Sequence, residues 1–206
     1  VQTFFWNEVC DWYVEVTKAR LKDDATRLQA QRNLMFVLDT SLRLMHPLMP
    51  FVTEAIWDTM PASVLDEKDG KLERAEALMI AAWPEPADYE KFVDEDAERS
   101  FELLRSVVSA ARSTRARYRL SPKEQLVAVA RMGAEDQQRF STMTDLAASL
   151  GNLELTVAGE DVAKPAASIG VVDGGVEVFI VLEGKVDLAA ERARMEKEIA
   201  AATKEL

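Results

Sequence analysis

Four arginines lie at helical spacing in one segment of this sequence: Arg105, Arg112, Arg115 and Arg119. Their separations of 7, 3 and 4 residues place four guanidinium groups on one face of a helix. Guanidinium groups bind phosphate oxygens through paired N–H donors. The row therefore predicts a track for phosphates, or else a solvated face that pairs with acidic side chains of other helices.

The charge around this row differs from that of the whole chain. The chain carries a net charge of -11, which by itself argues against a nucleic-acid partner. Residues 99–131, however, hold eight basic and two acidic side chains, a local charge of +6. A phosphate-binding segment within an acidic chain is consistent with both numbers.

The residues that could perform catalysis are few. The chain has one histidine, His46, and one cysteine, Cys10. It has no glycine-rich phosphate loop, no H-E-x-x-H and no G-x-S-x-G sequence. We therefore predict no catalytic residue, no metal site and no cofactor in this chain.

His46 belongs to the segment LRLMHPLMPFVTEAIW, residues 42–57, which contains two prolines. Pro47 disfavours helical geometry at His46 and cannot donate the next hydrogen bond, so a helix should end near Met45. Pro50 fits the first turn of a new helix, where a missing N–H has no cost. The segment predicts a helix-to-helix corner, with His46 capping carbonyls rather than acting as a ligand or a base.

The elements that must position these residues are mainly helical. Apolar residues spaced by three and four predict helices through residues 5–16 and 28–45, and a later helix over residues 94–119 carries the arginine row. After residue 121 the segments QLVAVARM, LELTVAG, SIGVV and VEVFIVL predict strands, with a helix at 135–150. Asp173, Gly174 and Gly175 predict a tight hairpin between the last two strands.

The C-terminal residues carry a heptad-like apolar pattern between alternating charges. The predicted organisation is a helical domain at 1–120, a small α/β subdomain at 121–184 and the start of a coiled coil at 185–206. Because the terminal helix within that stretch, residues 187–206, offers fewer than three heptads, we predict weak self-association through it.

The hydropathy of the chain and its N-terminal residues indicate where in the cell the protein is located. No apolar run approaches the roughly 18 residues of a membrane span, and the N-terminal residues lack a basic signal-peptide region. We expect a cytoplasmic protein without a membrane partner. Because the first residue is valine, we also expect a piece of a longer protein.

Five segments, in this order, resemble the C-terminal region of bacterial valyl-tRNA synthetases: FFWNEVCDWYVEVTKARL, LRLMHPLMPFVTEAIW, AAWPEP, VVSAARSTRARYRLSPKEQL and VLEGKVDLAAERARMEKEI. The HPLMPFVTEAIW element is shared in looser form by the leucyl and isoleucyl enzymes of class Ia. The CDWY sequence and the LEGKVDLAAE entry to the coiled coil favour the valyl enzymes.

The resemblance implies a class Ia anticodon-binding helix bundle, a small α/β subdomain and the root of a C-terminal coiled-coil arm. It implies a monomeric parent enzyme that joins valine to tRNA(Val) with ATP. The HIGH and KMSKS signatures that bind ATP in this family do not occur in this sequence. The resemblance therefore implies that this piece contributes tRNA recognition and is inactive alone.

The resemblance also implies which residues meet tRNA. Arg32 and Arg43 match basic positions that face the anticodon loop, and Phe51 is the aromatic residue of the proline corner. The Phe51 ring either stacks on an anticodon base or packs in the core. Arg112 and Arg115 match an R-x-x-R pair of the family, whereas Arg119 stands where the family often has an uncharged residue. The predicted tRNA-binding residues are Arg32, Arg43, Phe51, Arg105, Arg112, Arg115 and Arg119.

Two alternatives remain open from the sequence. One is a fragment of a leucyl- or isoleucyl-type synthetase. The other is a helical protein-interaction module, in which the coiled coil binds a protein and the arginines meet acidic surfaces. Binding of transcribed tRNA would distinguish a synthetase fragment from a protein-interaction module.

Overall fold

A computed structural model describes residues 2–61 and 75–186 of the chain. The chain forms two compact units, Val1–Val93 and Asp94–Leu206, here called the N-terminal and the C-terminal unit. Residues 187–206, which hold the predicted coiled coil and its self-association, lie outside the described residues. Within the described part, no helix is both long enough and apolar enough to cross a membrane.

The N-terminal unit is helical, as predicted. Its elements are α1 (Gln2–Phe4), a π-helical segment (Phe5–Tyr13), α2 (Val14–Lys22), α3 (Arg27–Met45), α4 (Pro50–Thr59) and the 3-10 turns Leu78–Ile80, Pro86–Asp88 and Glu90–Phe92. The first predicted helix is present, but its residues Phe5–Tyr13 are wound more widely than an α-helix. Val9 and Trp12 of this π-helical segment are buried.

The predicted corner is confirmed. Helix α3 ends at Met45, and α4 begins with Pro50 at its first position. The Leu48 and Met49 amides both donate to the Met45 carbonyl, at 3.0 and 3.1 Å. Because the last residue of α3 accepts both bonds, the corner is a short hydrogen-bonded turn.

A cluster of apolar residues joins α3, α4 and the first 3-10 turn. It comprises Leu42, Met45, Trp57, Met60 and Leu78, each at most 7% exposed. The Glu54 carboxylate accepts a hydrogen bond of 2.9 Å from the Leu78 amide, which ties the 3-10 turn to α4. The two helices that form the proline corner are therefore held together by a packed apolar cluster.

The C-terminal unit is an α/β layer. Its elements are α5 (Glu95–Tyr118), β1 (Leu126–Arg131), α6 (Ala134–Phe140), α7 (Thr144–Gly151), β2 (Leu153–Ala158), β3 (Ser168–Asp173) and β4 (Val176–Val181). The strand order is β2-β1-β4-β3, with β1 and β2 parallel and the other pairs antiparallel. The four strands were predicted, and so was the tight turn, where Gly174 and Gly175 have φ of +57° and +84°.

The predicted helix at 135–150 is wrong in one respect, because two helices occupy this range. Helix α6 ends at Phe140, and α7 begins at Thr144. The Ser141 hydroxyl donates to the Gln138 carbonyl at 2.7 Å, and the Thr144 hydroxyl donates to the Phe140 carbonyl at 3.2 Å. The Ser141 amide donates to the Gln138 carbonyl at 3.4 Å and the Met143 amide donates to the Phe140 carbonyl at 2.8 Å, so the backbone makes i→i−3 turns here instead of the i→i−4 bonds of a continuous helix.

Helix α5 packs on the sheet. Its residues Leu103, Leu104, Val107 and Val108 are fully buried, and the helix contacts α6, α7 and β4. The predicted boundary at residue 120 separates this helix from the sheet, whereas the compact unit that contains it begins at Asp94. The physical reason is that the apolar stripe of α5 finds its cover in the β-strands that follow it.

An ion pair fixes the start of α5 to α6. The Arg99 guanidinium donates to the Asp136 carboxylate at 2.5 and 3.2 Å. This bond holds the pKa of Asp136 below its ordinary value. Arg131 is likewise paired with Glu177. Arg99 and Arg131, which belong to the basic segment 99–131, thus have intramolecular acidic partners.

Candidate nucleic-acid interface

The outer surface of the proline corner is apolar and exposed. Phe51 is 91% exposed, and Leu48 and Val52 beside it are 79% and 50% exposed. The Phe51 ring therefore lies outside the core. Apolar side chains grouped at a surface are typical of interaction sites, whereas single ones are common on any protein. We call Leu48, Met49, Phe51 and Val52 the corner patch.

Hydrogen bonds beneath the corner patch hold its shape. The Thr53 hydroxyl donates to the Met49 and Pro50 carbonyls, at 2.8 and 3.2 Å. The same oxygen lies 2.8 Å from Nδ1 of His46. The predicted role of His46 thus needs adjustment, because its ring bonds a hydroxyl of the next helix rather than a carbonyl. The bond between His46 and Thr53 therefore joins the end of α3 to α4 at the corner that carries Phe51.

Arg43 is fixed within the N-terminal unit. Its Nε donates to the Asp39 carboxylate at 2.9 Å, and the two side chains are 13% and 2% exposed. A second guanidinium nitrogen donates to the Ala82 carbonyl at 3.1 Å, and the group lies 5.3 Å from the Trp57 ring centroid. These contacts assign Arg43 an internal role in joining α3, α4 and the segment at 81–83.

Arg32 lies on α3, eleven residues before Arg43, and its side chain is half-buried. At about 1.5 Å of rise per residue, the two positions are roughly 16 Å apart along the helix axis. Arg32 is therefore not adjacent to the corner patch. The structure places Arg43 and Phe51 near the same corner and Arg32 farther along α3.

The arginine row of α5 does not form one exposed face. Arg105 is half-buried, Arg112 is exposed, and Arg115 is buried at 9% exposure. Arg119 follows the last residue of the helix and is left-handed, with φ of +54°. The left-handed conformation costs a residue with a Cβ roughly 1–2 kcal/mol. Tertiary packing has thus given four similar residues four different environments.

The Arg115 guanidinium donates hydrogen bonds to three backbone carbonyls. One nitrogen donates to Gly151 at 2.6 Å, and another donates to Glu124 and Asn152, both at 3.0 Å. These carbonyls lie at the end of α7 and before β1, so Arg115 fastens both segments to α5. Burial lowers the pKa of the Arg115 guanidinium from its ordinary value.

Three of the predicted arginines nevertheless meet around one concavity. A cavity of about 510 Å³ is lined by Arg112, Arg115, Ala116, Arg119, Leu120, Pro122, Leu150, Gly151 and Asn152. We call it the arginine cavity. Arg105 is not among its lining residues. The cavity lies wholly within the C-terminal unit, where α5 ends beside α7.

Some surface residues of these sites were absent from the sequence-based prediction. Leu48 and Met49 were detectable in principle, because the two prolines keep them outside both helices, whose apolar faces are buried. Leu150 and Asn152 had no such signal. They lie more than 30 residues from Arg112, and only the packing of α7 on α5 brings them to the cavity.

Comparisons with known proteins show the family to which the chain belongs. Residues 1–130 match the family model described as the anticodon-binding domain of tRNA ligase. The chain is 38% identical to a valine–tRNA ligase of Rhodopirellula baltica over 199 residues, 94% of this chain and 19% of that protein. It is 36% identical to the enzyme of Coxiella burnetii over 202 residues, 95% of this chain and 21% of that protein.

A third relative is the valine–tRNA ligase of Treponema denticola. Identity is 35% over 205 residues, which cover 97% of this chain and 22% of that protein. The chain thus spans about a fifth of the length of the curated relatives it matches. The family model covers more than half of this chain and includes α3, α4 and α5. The chain belongs to the anticodon-binding domain family of tRNA ligases.

Proposed function

We propose that this chain is the anticodon-recognition part of a valine–tRNA ligase and that it binds tRNA(Val). The observation that carries the proposal is the corner patch, in which Phe51 is 91% exposed on a fixed helix-to-helix turn. Unpaired anticodon bases expose their faces, and an aromatic ring held at a surface offers them a stacking partner. The three relatives described above are valine–tRNA ligases, which favours valine over leucine or isoleucine.

The rigidity of the corner supports this use. A stacking residue loses less entropy on binding when its backbone is already fixed. Pro50 fixes the backbone directly before Phe51, and the Thr53 hydroxyl donates to the Met49 and Pro50 carbonyls. The Phe51 ring is therefore presented from an ordered helix start, with Leu48 and Met49 extending the apolar surface.

A titration tests the proposal directly. The chain is mixed with transcribed tRNA(Val) and with a version that carries another anticodon, at two salt concentrations. We expect tighter binding of the native anticodon at both salt concentrations, because base contacts carry sequence information and phosphate contacts do not. Equal affinities for the two RNAs would contradict anticodon recognition. No binding of either RNA would instead favour the protein-interaction alternative.

Phe51→Ala should weaken binding of tRNA(Val) by about 1 to 3 kcal/mol, roughly five- to 150-fold, because a base loses its stacking surface. The melting temperature should stay close to that of the original chain, since an exposed ring contributes little to folding. Binding is measured by titration and stability by thermal melting.

Two control variants accompany this change. Phe51→Trp keeps an aromatic face and should keep most of the affinity. Phe4→Ala removes another exposed ring, 58% exposed and outside the corner patch, and should leave binding unchanged. An equal loss of affinity in Phe4→Ala, or a large fall in melting temperature in Phe51→Ala, would show that stacking at the corner is not the cause.

The chemistry of aminoacylation is proposed for the longer protein. We infer that ATP and valine bind in its other parts, because the sequence here lacks the HIGH and KMSKS signatures. The chain alone should therefore not catalyse valine-dependent exchange between pyrophosphate and ATP. Exchange above the rate of a buffer control, retained through further purification, would overturn this expectation.

A further inference from the structure

We propose that the arginine cavity binds a phosphate group of the RNA backbone, as a contact in addition to the corner patch. The inference rests on the proposed function, because it takes tRNA as the source of the phosphate. It assigns the site to the C-terminal unit, at the end of α5, and names Arg112 and Arg119 as the groups that meet the phosphate.

The charge of the cavity is the first argument. Three of the nine lining residues are arginines, and none of the nine is acidic. The acidic residue that acts on Arg115 is Glu124, and its carboxylate is bonded by the Lys185 ammonium at 2.7 Å. A concave surface with three cations and a paired nearby carboxylate attracts an anion, even in a chain with a net charge of -11.

The buried guanidinium is the second argument. Within the described part of the chain, every hydrogen-bond acceptor of Arg115 is a backbone carbonyl, and its Nε is buried without a partner. Carbonyls satisfy N–H groups but supply no full negative charge. A cation that is 9% exposed and has no bonded carboxylate gains from an anion at the cavity mouth.

The conformation of Arg119 is the third argument. Glycine and asparagine adopt a left-handed backbone at low cost, whereas arginine does not. Arg119 nevertheless occupies this position, with φ of +54°, directly after α5. An observed backbone cost at a residue that lines a cavity points to a use for its side chain. The charge at the cavity is that use.

The shape of the cavity favours a nucleotide unit over a bare ion. Its volume of about 510 Å³ lies within the usual range for sites that hold small organic ligands. Leu120, Pro122 and Leu150 supply an apolar wall beside the arginines. A ribose can pack on such a wall while its phosphate meets the guanidinium groups, whereas inorganic phosphate leaves the wall unused.

The test combines Arg112→Gln and Arg119→Asn with a salt titration of tRNA binding. Each lost phosphate contact lowers the log–log salt slope by roughly 0.7 to 0.9, which near 0.1 M salt is roughly a five- to eightfold loss of affinity. The loss should be the same for tRNA(Val) and for the anticodon-swapped RNA, because phosphates carry no sequence information. Arg119→Asn should also keep or raise the melting temperature, since asparagine accepts the left-handed backbone.

The matched control is Arg117→Gln, at an exposed residue of the same helix end that does not line the cavity. It should keep the full salt slope. An unchanged slope in the Arg112 and Arg119 variants, or an equal fall in the Arg117 variant, would overturn the proposal. Inorganic phosphate, titrated at constant ionic strength, is the second probe. Binding of this ion that the variants abolish, with tRNA affinity unchanged, would overturn RNA as the source.

The anticodon preference separates this proposal from the proposed function. If the corner patch does not read the anticodon, the original chain binds both RNAs equally, yet the Arg119 variant still lowers the salt slope. If the cavity does not bind phosphate, the anticodon preference persists while the slopes of the variants match the original. Each failure thus has its own signature.

Discussion

Replacing Asp39 by alanine should lower the free energy of unfolding by about 3–5 kcal/mol, because it leaves the Arg43 guanidinium without its buried carboxylate. The Asp39 side chain is 2% exposed, and the Arg43 side chain is 13% exposed. Both members of the pair are therefore largely removed from water. The loss should appear in the tryptophan signal, since Trp6, Trp12, Trp57 and Trp83 all lie in the N-terminal unit.

A double variant distinguishes the net contribution of the ion pair from the cost of leaving one of its charges unpaired. Asp39→Leu with Arg43→Met replaces both charges by apolar groups of similar length, so no buried charge remains unpaired. It should recover a large part of the stability that Asp39→Ala loses, as buried ion pairs often contribute little net energy. Denaturant unfolding followed by tryptophan fluorescence measures all three chains. A double variant as unstable as Asp39→Ala would show that packing, and not charge pairing, dominates here.

The same pair bears on RNA binding. Arg43 was predicted to meet the anticodon, and it stays a predicted contact. In the structure, however, its guanidinium is engaged by Asp39, Ala82 and the Trp57 ring. A loss of tRNA affinity in an Arg43 variant is therefore interpretable only beside its unfolding curve. Phe51, whose ring is exposed, gives the cleaner measurement.

Arg115→Met should destabilise the C-terminal unit by about 3 kcal/mol or more, because the Glu124 and Gly151 carbonyls lose the donors that Arg115 supplies and the Asn152 carbonyl loses one of its two donors. An unsatisfied buried carbonyl costs about 1–3 kcal/mol. These carbonyls belong to Glu124, Gly151 and Asn152, and the Asn152 carbonyl also accepts a bond from the Leu126 amide at the start of β1. Amide hydrogen exchange across β1 and β2 should therefore accelerate in this variant.

Arg115→Lys is the matched control, because it keeps the charge but not the planar set of donors. A single ammonium cannot reproduce the bonds of two guanidinium nitrogens to three carbonyls. We expect a stability between those of the original chain and Arg115→Met. If Arg115→Met instead melts like the original chain and loses tRNA affinity, then Arg115 contacts RNA directly and the internal role is wrong.

Local features of the sequence determined the backbone turns of this protein. Pro47 and Pro50 end α3 and begin α4 because proline lacks an N–H and has a fixed φ. Gly174 and Gly175 make the β3–β4 turn because a tight hairpin needs positive φ at both positions. These constraints act within a few residues, so the turns can be predicted from the sequence without any knowledge of the fold.

The role of each arginine was decided only by tertiary structure. Arg112 and Arg115 are three residues apart on one helix, and their spacing predicted a common face. The Arg115 guanidinium is buried against the Gly151 carbonyl at the end of α7, 36 residues away, whereas the Arg112 side chain is exposed.

The physical reason is that the sequence fixes which residues share a helix face, whereas burial depends on what covers that face. The end of α5 is covered by α7 and by the segment that leads into β1, whose positions depend on the packing of the whole sheet. Phe51 is the converse case. Nothing in the described N-terminal unit covers its ring, so the prolines that shaped the corner also left it exposed.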